Sequence, residues 1–553
     1  MLFVVRNAAT LHRLLDVLPA FAGDPRITPL FTLAPGSDYD TGVLARLDRE
    51  GARTVPWPPA RKSYDLAISA SRNGPLHELD APLALLPHGA GFNKRVPGAA
   101  DTARSCAAPD APAPVHAIAH PYQRRHLPAA SADRARVVGD PTLDRLLASR
   151  HRRDAYRDRW ATGGRRLLAV TSTWGPESLL TRRPHLLERL LAELPYDGWQ
   201  LALIAHPNWY ADLGRLGMTR QLLVEPLRAG LVLPDPYEEW GAALVAADVV
   251  VTDHGSTALY AAALGRPLLG AYDGGAELVP DSPMAALLAT VPHLEETRPY
   301  VPQLAAGAAD RAAGAAERAA MAAFAERGRS LELLRGWLYE LLDLRSPAPA
   351  PRPEVLPLPR AAAAQVPAFR VPTVVYGATV RLARTPDRPA PDALAPGPHA
   401  GPGAVHAAHL AAEADVAAAG DVDSAEVIFR RRRATRQPEP RQDTAWQTGA
   451  WCAHALDAHP GCRTAAVVLD RARVVLCHGG GPPLEIRIEP EAAPATAPVH
   501  WPDPAAALSA VHAWLMAGGA ARPLPATLRA ELGGVTVRVR IAAAGAAALA
   551  EEI

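Results

Sequence analysis

Three apolar runs in this 553-residue chain each stop at residues that can hold an anion or move a proton. One is Asp248-Val249-Val250-Val251-Thr252-Asp253-His254-Gly255-Ser256-Thr257, continuing to Leu264-Gly265-Arg266-Pro267. Its pattern is a buried strand ending at Asp253, a tight turn at Gly255, and a helix beginning at Ser256 and Thr257. Backbone N–H groups that open a helix lack partners within it and, with the helix dipole, favour an anion. Hydroxyls at that place can donate to phosphate oxygens. The competing reading is that Ser256 simply caps its helix.

The second run, Leu201–Ala205, leads into His206-Pro207-Asn208. Ligands of open α/β sheets collect at strand carboxyl ends, so His206 would share a surface with Ser256 and could donate to the same phosphate. A satisfied loop histidine ahead of a turn proline is the plainer alternative. The third run, Leu83–Pro87, ends in His88-Gly89-Ala90-Gly91-Phe92-Asn93-Lys94. An imidazole titrates near neutral pH, which suits His88 to act as general base towards a hydroxyl. Gly89 would let a ligand approach the backbone. The third glycine of a dinucleotide fingerprint is missing, and a flexible turn would explain the same residues.

These residues need a scaffold that brings strand ends together. Over residues 1–145, short apolar runs (Leu2–Val5, Ile27–Leu33, Arg53–Trp57, Asp65–Ser69, Leu83–Pro87, His116–Ala119, Arg136–Val138) alternate with stretches of helical spacing. The rhythm restarts at Arg165–Thr171 and runs through Gln200–Ala205, Gly230–Leu233, Asp248–Val251 and Arg266–Gly270. Strand–helix alternation predicts parallel, doubly wound sheets. The expected fold is therefore α/β, with two Rossmann-like domains facing each other across a cleft. Residues 1–145 form the acceptor side. Residues 146–345 form the donor side, ending in helices that return to the first domain. Residues 346–403 read as a Pro/Ala-rich linker with room for one strand, extended where Ser346–Arg360 is proline-rich. Residues 404–553 read as a small α+β accessory domain: strands at Thr464–Leu469, Val474–Cys477, Pro483–Ile488 and Val535–Ile541, covered by helices at Pro504–Met516 and the C-terminal end.

Composition narrows the function classes. A formal net charge of +1 gives no global field for nucleic acid or an anionic bilayer. Arg430–Arg433 is the one basic run singled out, and it reads as a solvated face. Four cysteines (Cys106, Cys452, Cys462, Cys477) are too few for a disulfide framework. The spacing of Cys452, His454, Cys462, Cys477 and His478 fits no standard zinc pattern, so no metal and no cofactor is expected. No Walker loop, Gly-x-Ser-x-Gly elbow or His-Glu-x-x-His helix is found. Neither a leader-like start nor an apolar stretch of about 18 residues occurs. The expectation is a cytoplasmic protein, at most attached to the inner face of the membrane.

Taken together, the three segments resemble the CDP-glycerol glycerophosphotransferase family, which makes and extends teichoic-acid-type polymers on a glycosyltransferase B fold. The family pattern His-Gly-Thr, strand-His-Pro, Asp-Tyr-Ser-Ser and Leu-Gly-Lys-Pro is matched in order by His88-Gly89-Ala90, His206-Pro207, Asp253-His254-Gly255-Ser256 and Leu264-Gly265-Arg266-Pro267. The match spans about residues 80–275. The resemblance implies His88 as catalytic base, His206, Gly255, Ser256 and Thr257 around the donor pyrophosphate, and Asp253 and Gly89 in support. Its partners would be a nucleotide-diphosphate donor and a hydroxyl acceptor, which can be lipid-linked. The departures are Ala90 for threonine, His254 for tyrosine, Gly255 for the first serine, and Lys94 one residue later than the family's lysine. Val137-Val138-Gly139-Asp140-Pro141-Thr142-Leu143-Asp144 is also similar to the interdomain junction of UDP-N-acetylglucosamine 2-epimerases, which widens the donor to UDP-sugars. The epimerase His-x-Glu-Ala-Gly motif is absent. The expected function is transfer of a glycerol-phosphate or sugar group in cell-envelope polymer or glycoconjugate synthesis. The alternative is a catalytically lapsed binding or regulatory protein of the same fold.

Overall fold

The computed structural model describes residues 1–37, 42–58, 64–87, 89–95, 114–309, 313–360, 366–387, 404–432, 446–491 and 501–553. His88, Cys106 and Arg433 lie outside the described residues.

The first sheet comprises β1 (Leu2–Val5), β2 (Leu30–Leu33), β3 (Ala67–Ser69), β4 (Leu83–Leu85), β5 (Val115–Ile118) and β6 (Arg136–Val137), in the order β2-β1-β3-β4-β5-β6. All pairings are parallel, and a parallel bridge from Phe31 to Thr54 extends the β2 edge. The second sheet comprises β7 (Arg166–Ser172), β8 (Trp199–Ala205), β9 (Val249–Thr252) and β10 (Leu268–Gly270), in the order β10-β9-β7-β8, again all parallel. Bridges to Val232 and His293 widen its two edges. The central strands read as unbroken apolar runs because both faces are covered by helices. Leu2–Val5, Trp199–Ala205 and Val249–Thr252 are buried along their whole length.

In each sheet the strand order reverses once, between β1 and β3 in the first and between β7 and β9 in the second. Such a reversal leaves a crevice at the carboxyl ends of the flanking strands. The chain leaves the first sheet through Val138-Gly139-Asp140, where Asp140 caps helix Pro141–Ala148 by accepting from the Leu143 N–H at 2.9 Å. Helix Ser330–Leu341 returns to the first domain, packing Leu334, Trp337 and Leu338 into the core that holds Phe3 and Phe31.

The C-terminal unit differs from the expected α+β layer. Ten strands join in one sheet: β11 (Ala368–Tyr376), β12 (Thr379–Leu382), β13 (Thr385–Pro386), β14 (Val405–Glu413), β15 (Val427–Arg431), β16 (Thr464–Val468), β17 (Arg473–His478), β18 (Leu484–Pro490), β19 (Ala526–Leu532) and β20 (Val535–Ala543). Because β12 pairs with both β11 and β19, the sheet closes on itself. Helix Pro504–Met516 does not cover this sheet from outside. Every residue from Pro504 to Leu515 is buried, and the helix touches β11, β12 and each strand from β15 to β19. The sequence Ala-Ala-Ala-Leu-Ser-Ala-Val-His-Ala-Trp-Leu is apolar nearly all round, so one-sided packing would leave a greasy face in water. A closed barrel around it resolves that problem and removes sheet edges as well. Arg430, Arg431 and Arg432 are ion-paired with Asp415, with Glu413 and Asp503, and with Glu551. Cys452, Cys462 and Cys477 are free and buried. Among the described residues no cluster could hold a metal ion, and no helix is long and apolar enough to cross a membrane.

Candidate functional site

The reversal points of both parallel sheets open onto one cavity of about 900 Å³ between the two domains. Its first-domain lining includes Asn7 after β1, Ser71 after β3 and Gly89 after β4. Its second-domain lining includes Thr173 after β7, His206 after β8, and Asp253, Gly255, Ser256 and Thr257 after β9. The volume suits a small-molecule ligand. His88 itself is outside the described residues, while its sequence neighbours Pro87 and Gly89 are lining residues. All other candidates from the sequence line this one cavity.

Asp253 is fully buried and organises the second-domain side. Its Oδ2 accepts from the N–H groups of Thr173 (2.8 Å) and Leu179 (2.9 Å), and its Oδ1 accepts from that of Gly255 (2.9 Å). One carboxylate therefore fixes the loops after β7 and β9 against each other. Burial raises its pKa, opposed by His254 and by these three amides. A Cβ on Gly255 would stand 3.0 Å from the Asp253 Oδ1 and 3.3 Å from the Thr173 Cβ, so the turn has little room for a side chain.

Ser256 occupies the N-cap position of helix Thr257–Ala263 but makes no side-chain capping bond. It and Thr257 are half-buried, at the cavity surface. The capping role that competes with an anion role is thus unused. His206 behaves differently. Its Nδ1 accepts from the Asn208 N–H at 3.1 Å and caps helix Pro207–Gly217, so in the neutral ring the proton belongs to Nε2. His206 is thus a structural cap, the plainer of its two readings, placed on the cavity lining.

His254 is buried and its Nε2 meets the Glu277 Oε2 at 3.1 Å. The same oxygen pairs with the Lys94 Nζ at 2.9 Å, and Lys94 also donates to the Trp174 carbonyl at 2.9 Å. Arg95 N–H donates to the Glu277 carbonyl at 2.7 Å, and Val279 N–H to the Asn93 carbonyl at 3.0 Å. The loop after β4 is thereby stitched to the second domain beside the cavity. Gly274 has φ +85°, and any Cβ there would run into the His254 ring at 2.3 Å from Cγ.

Sequence reasoning missed three contributors. Arg13, on the helix after β1, lines the cavity and lies over the Tyr260 ring at 5.3 Å. Tyr260 donates to the Asp140 Oδ2 at 2.8 Å, tying helix Thr257–Ala263 to the domain junction. His12 stacks on Tyr237 of the second domain, ring centroids 5.1 Å apart, and burial together with Arg46, Arg145 and Arg13 pushes its pKa down to about 3. The available signal was position alone: a helix following the first strand of a doubly wound sheet starts at the reversal point.

No family model matches the sequence, and no curated protein sequence matches it either. Solved structures do. The chain is similar to the wall teichoic acid polymerase TagF, at 14% identity and TM-score 0.43, over 62% of this chain and 89% of that one. It is similar to the UDP-GlcNAc 2-epimerase from Neisseria meningitidis, solved bound to UDP-GlcNAc, at 13% identity and TM-score 0.36, over 62% of this chain and 98% of that one. It is also similar to MnaA of S. aureus, solved with UDP, at 11% identity and TM-score 0.40, over 63% of this chain and 98% of that one.

Proposed function

We propose that the interdomain cavity binds a nucleotide-diphosphate donor, CDP-glycerol or a UDP-sugar, and that the protein transfers the glycerol-phosphate or sugar group to a hydroxyl acceptor in cell-envelope polymer or glycoconjugate synthesis. The observation that carries this reading is the shared cavity. Two parallel sheets turn their reversal points to one space, and the uncommitted hydroxyl of Ser256 stands there with Thr257 and His206. A pyrophosphate against those three groups would gain charge-assisted hydrogen bonds in a site shielded from bulk water. The order of the His88, His206 and Asp253–Ser256 segments along the chain supports the same assignment. His88 takes the role of general base, removing the acceptor proton as the nucleotide leaves.

The catalytically lapsed reading has its own support. Ala90, where the similar family carries threonine, is buried, and its methyl side chain has no hydroxyl to donate. His254, in place of tyrosine, is committed to Glu277.

Thermal-shift titration with CDP-glycerol, UDP-sugars, CDP and UDP tests donor binding. Stabilisation by at least one, diminished in Ser256→Ala, is expected, and a flat response to all of them removes the reading. Turnover abolished by His88→Ala with nucleotide binding intact separates the transferase from the lapsed protein, which would show binding and no turnover in either form.

A further inference from the structure

Arg13 brings to the cavity lining a buried donor that no acceptor meets. Its Nη1 is shut off from solvent and has no hydrogen-bond acceptor, although the side chain as a whole keeps 18% of its surface exposed. The carboxylate facing it, Asp140 Oδ1, stands 3.8 Å away, beyond hydrogen-bonding range. That carboxylate is already occupied, its Oδ1 by the Leu143 N–H and its Oδ2 by the Tyr260 hydroxyl. Asp16, at the C-terminal end of the helix that carries Arg13, is taken by Arg145 at 2.8 Å and by the Thr142 hydroxyl. Elsewhere on the lining, Lys94 is paired with Glu277, and Arg6 donates to the Pro35 carbonyl at 2.8 Å.

The placement is as telling as the missing acceptor. Arg13 belongs to the first domain, yet its guanidinium lies over Tyr260 of the second, one helical turn beyond Ser256 and Thr257. Gly89 is shaped around it. With φ +65°, a Cβ at that position would stand 2.8 Å from the Arg13 Nη2 and 3.4 Å from the Tyr260 hydroxyl. The backbone after β4 therefore makes room for a guanidinium held towards the donor-side helix.

We propose that Arg13 is the first domain's phosphate contact, closing on the anion from the side opposite Ser256, Thr257 and His206 and setting a preference for a diphosphate over a monophosphate. The inference rests on the cavity being a nucleotide-diphosphate site. A guanidinium with an unused N–H carries a desolvation cost that an entering oxyanion relieves. Its planar fork can hold two oxygens at once, which an ammonium cannot. A diphosphate long enough to touch both domains gains from both sides, and a monophosphate held by the second domain does not reach.

The test is calorimetric titration of the full chain and of Arg13→Gln and Arg13→Lys with CDP, CMP, UDP, UMP, inorganic pyrophosphate and inorganic phosphate. The unliganded melting temperature of each variant serves as the folding control. The wild type should favour diphosphate over monophosphate, and Arg13→Gln should weaken diphosphate binding by about tenfold or more, with monophosphate affinity changed by less than about threefold. Arg13→Lys should fall between, because it keeps the charge and loses the fork. Nucleotide binding with the diphosphate preference unchanged in both variants overturns the Arg13 assignment and leaves the nucleotide site standing. Pyrophosphate binding that depends on Arg13, with no nucleotide bound, keeps the Arg13 contact and removes the nucleotide reading. Absence of binding by every probe overturns both.

Discussion

Lys94 of the first domain and Glu277 of the second form an ion pair, Nζ to Oε2 2.9 Å, and the same oxygen receives His254 at 3.1 Å. The carboxylate is nearly buried, with 7% of its side chain exposed. It therefore depends on both neighbours, and it joins the two halves of the cleft through side chains as well as through the backbone bridge at Lys94 and Leu278.

Lys94→Met should lower stability by about 2 kcal/mol, because it leaves Glu277 buried with only an imidazole beside it. The double variant Lys94→Met/Glu277→Gln should lose less than the single one. Urea unfolding of the four proteins in the cycle, compared at the first transition, measures the coupling.

Ser256→Ala should separate binding from stability. Replacing a working N-cap costs about 1 kcal/mol, whereas Ser256 makes no capping bond. The unliganded variant should stay within about 0.5 kcal/mol of wild type, with its nucleotide-induced thermal shift reduced. A large loss of intrinsic stability would restore the capping role and weaken the ligand role.

The barrel should be acid-sensitive. His409 and His512 stack edge to face, ring centroids 4.5 Å apart, and the Thr464 hydroxyl bonds both His512 and His478. Burial pushes His409 down to about 4, and burial with the neighbouring imidazoles pushes His512 down to about 3, from 6.5. The unfolded chain binds these protons first, so the stability these residues carry is complete above the unfolded pKa and drains as pH falls from there towards the folded values. At pH 5 each should cost about 2 kcal/mol. Thermal melts at about pH 7.5 and about pH 5 should show this loss, and His409→Leu should flatten the dependence.

Arg384 should be indispensable to the attachment of the barrel. Its side chain is 1% exposed and pairs with Asp197 of the second domain at 2.6 Å and with Asp503, which caps the central helix, at 3.0 Å. Arg384→Met leaves Asp197 without its cation and Asp503 with Arg431 alone, for a loss of about 3 kcal/mol or more. Limited proteolysis should then release a fragment carrying the barrel.

Much of the first two domains was legible because parallel strands buried on both faces announce themselves as short apolar runs ending in polar residues. Asp253, His206 and Ser256 fall at such ends, and the cavity collects them. What those residues do locally was harder to read. The grip of Asp253 on Thr173 and Leu179 joins positions about 80 and 74 apart in the chain, and no local pattern encodes it. Arg13 was lost among many arginines, with only its place after β1 to distinguish it. The barrel was read as a layer because β11 follows a proline- and alanine-rich stretch and is itself interrupted by a proline, while β14 carries mostly alanine and histidine in place of alternating branched residues. Pro372 even sits mid-strand, opposite Ala408. Closure depends on register between distant strands, whereas periodicity reports only neighbours.

The closing seam has a practical meaning for dissecting the chain. β11, β12 and β13 come from the stretch before residue 387, so a fragment cut at residue 404 takes the central helix but leaves behind three staves of its cask. Such a piece would expose the flanks of β14 and β19 as sticky templates and uncover part of an alanine-rich rod, and it should clump. A piece starting near residue 366 carries the full circumference and is the smallest one worth expressing.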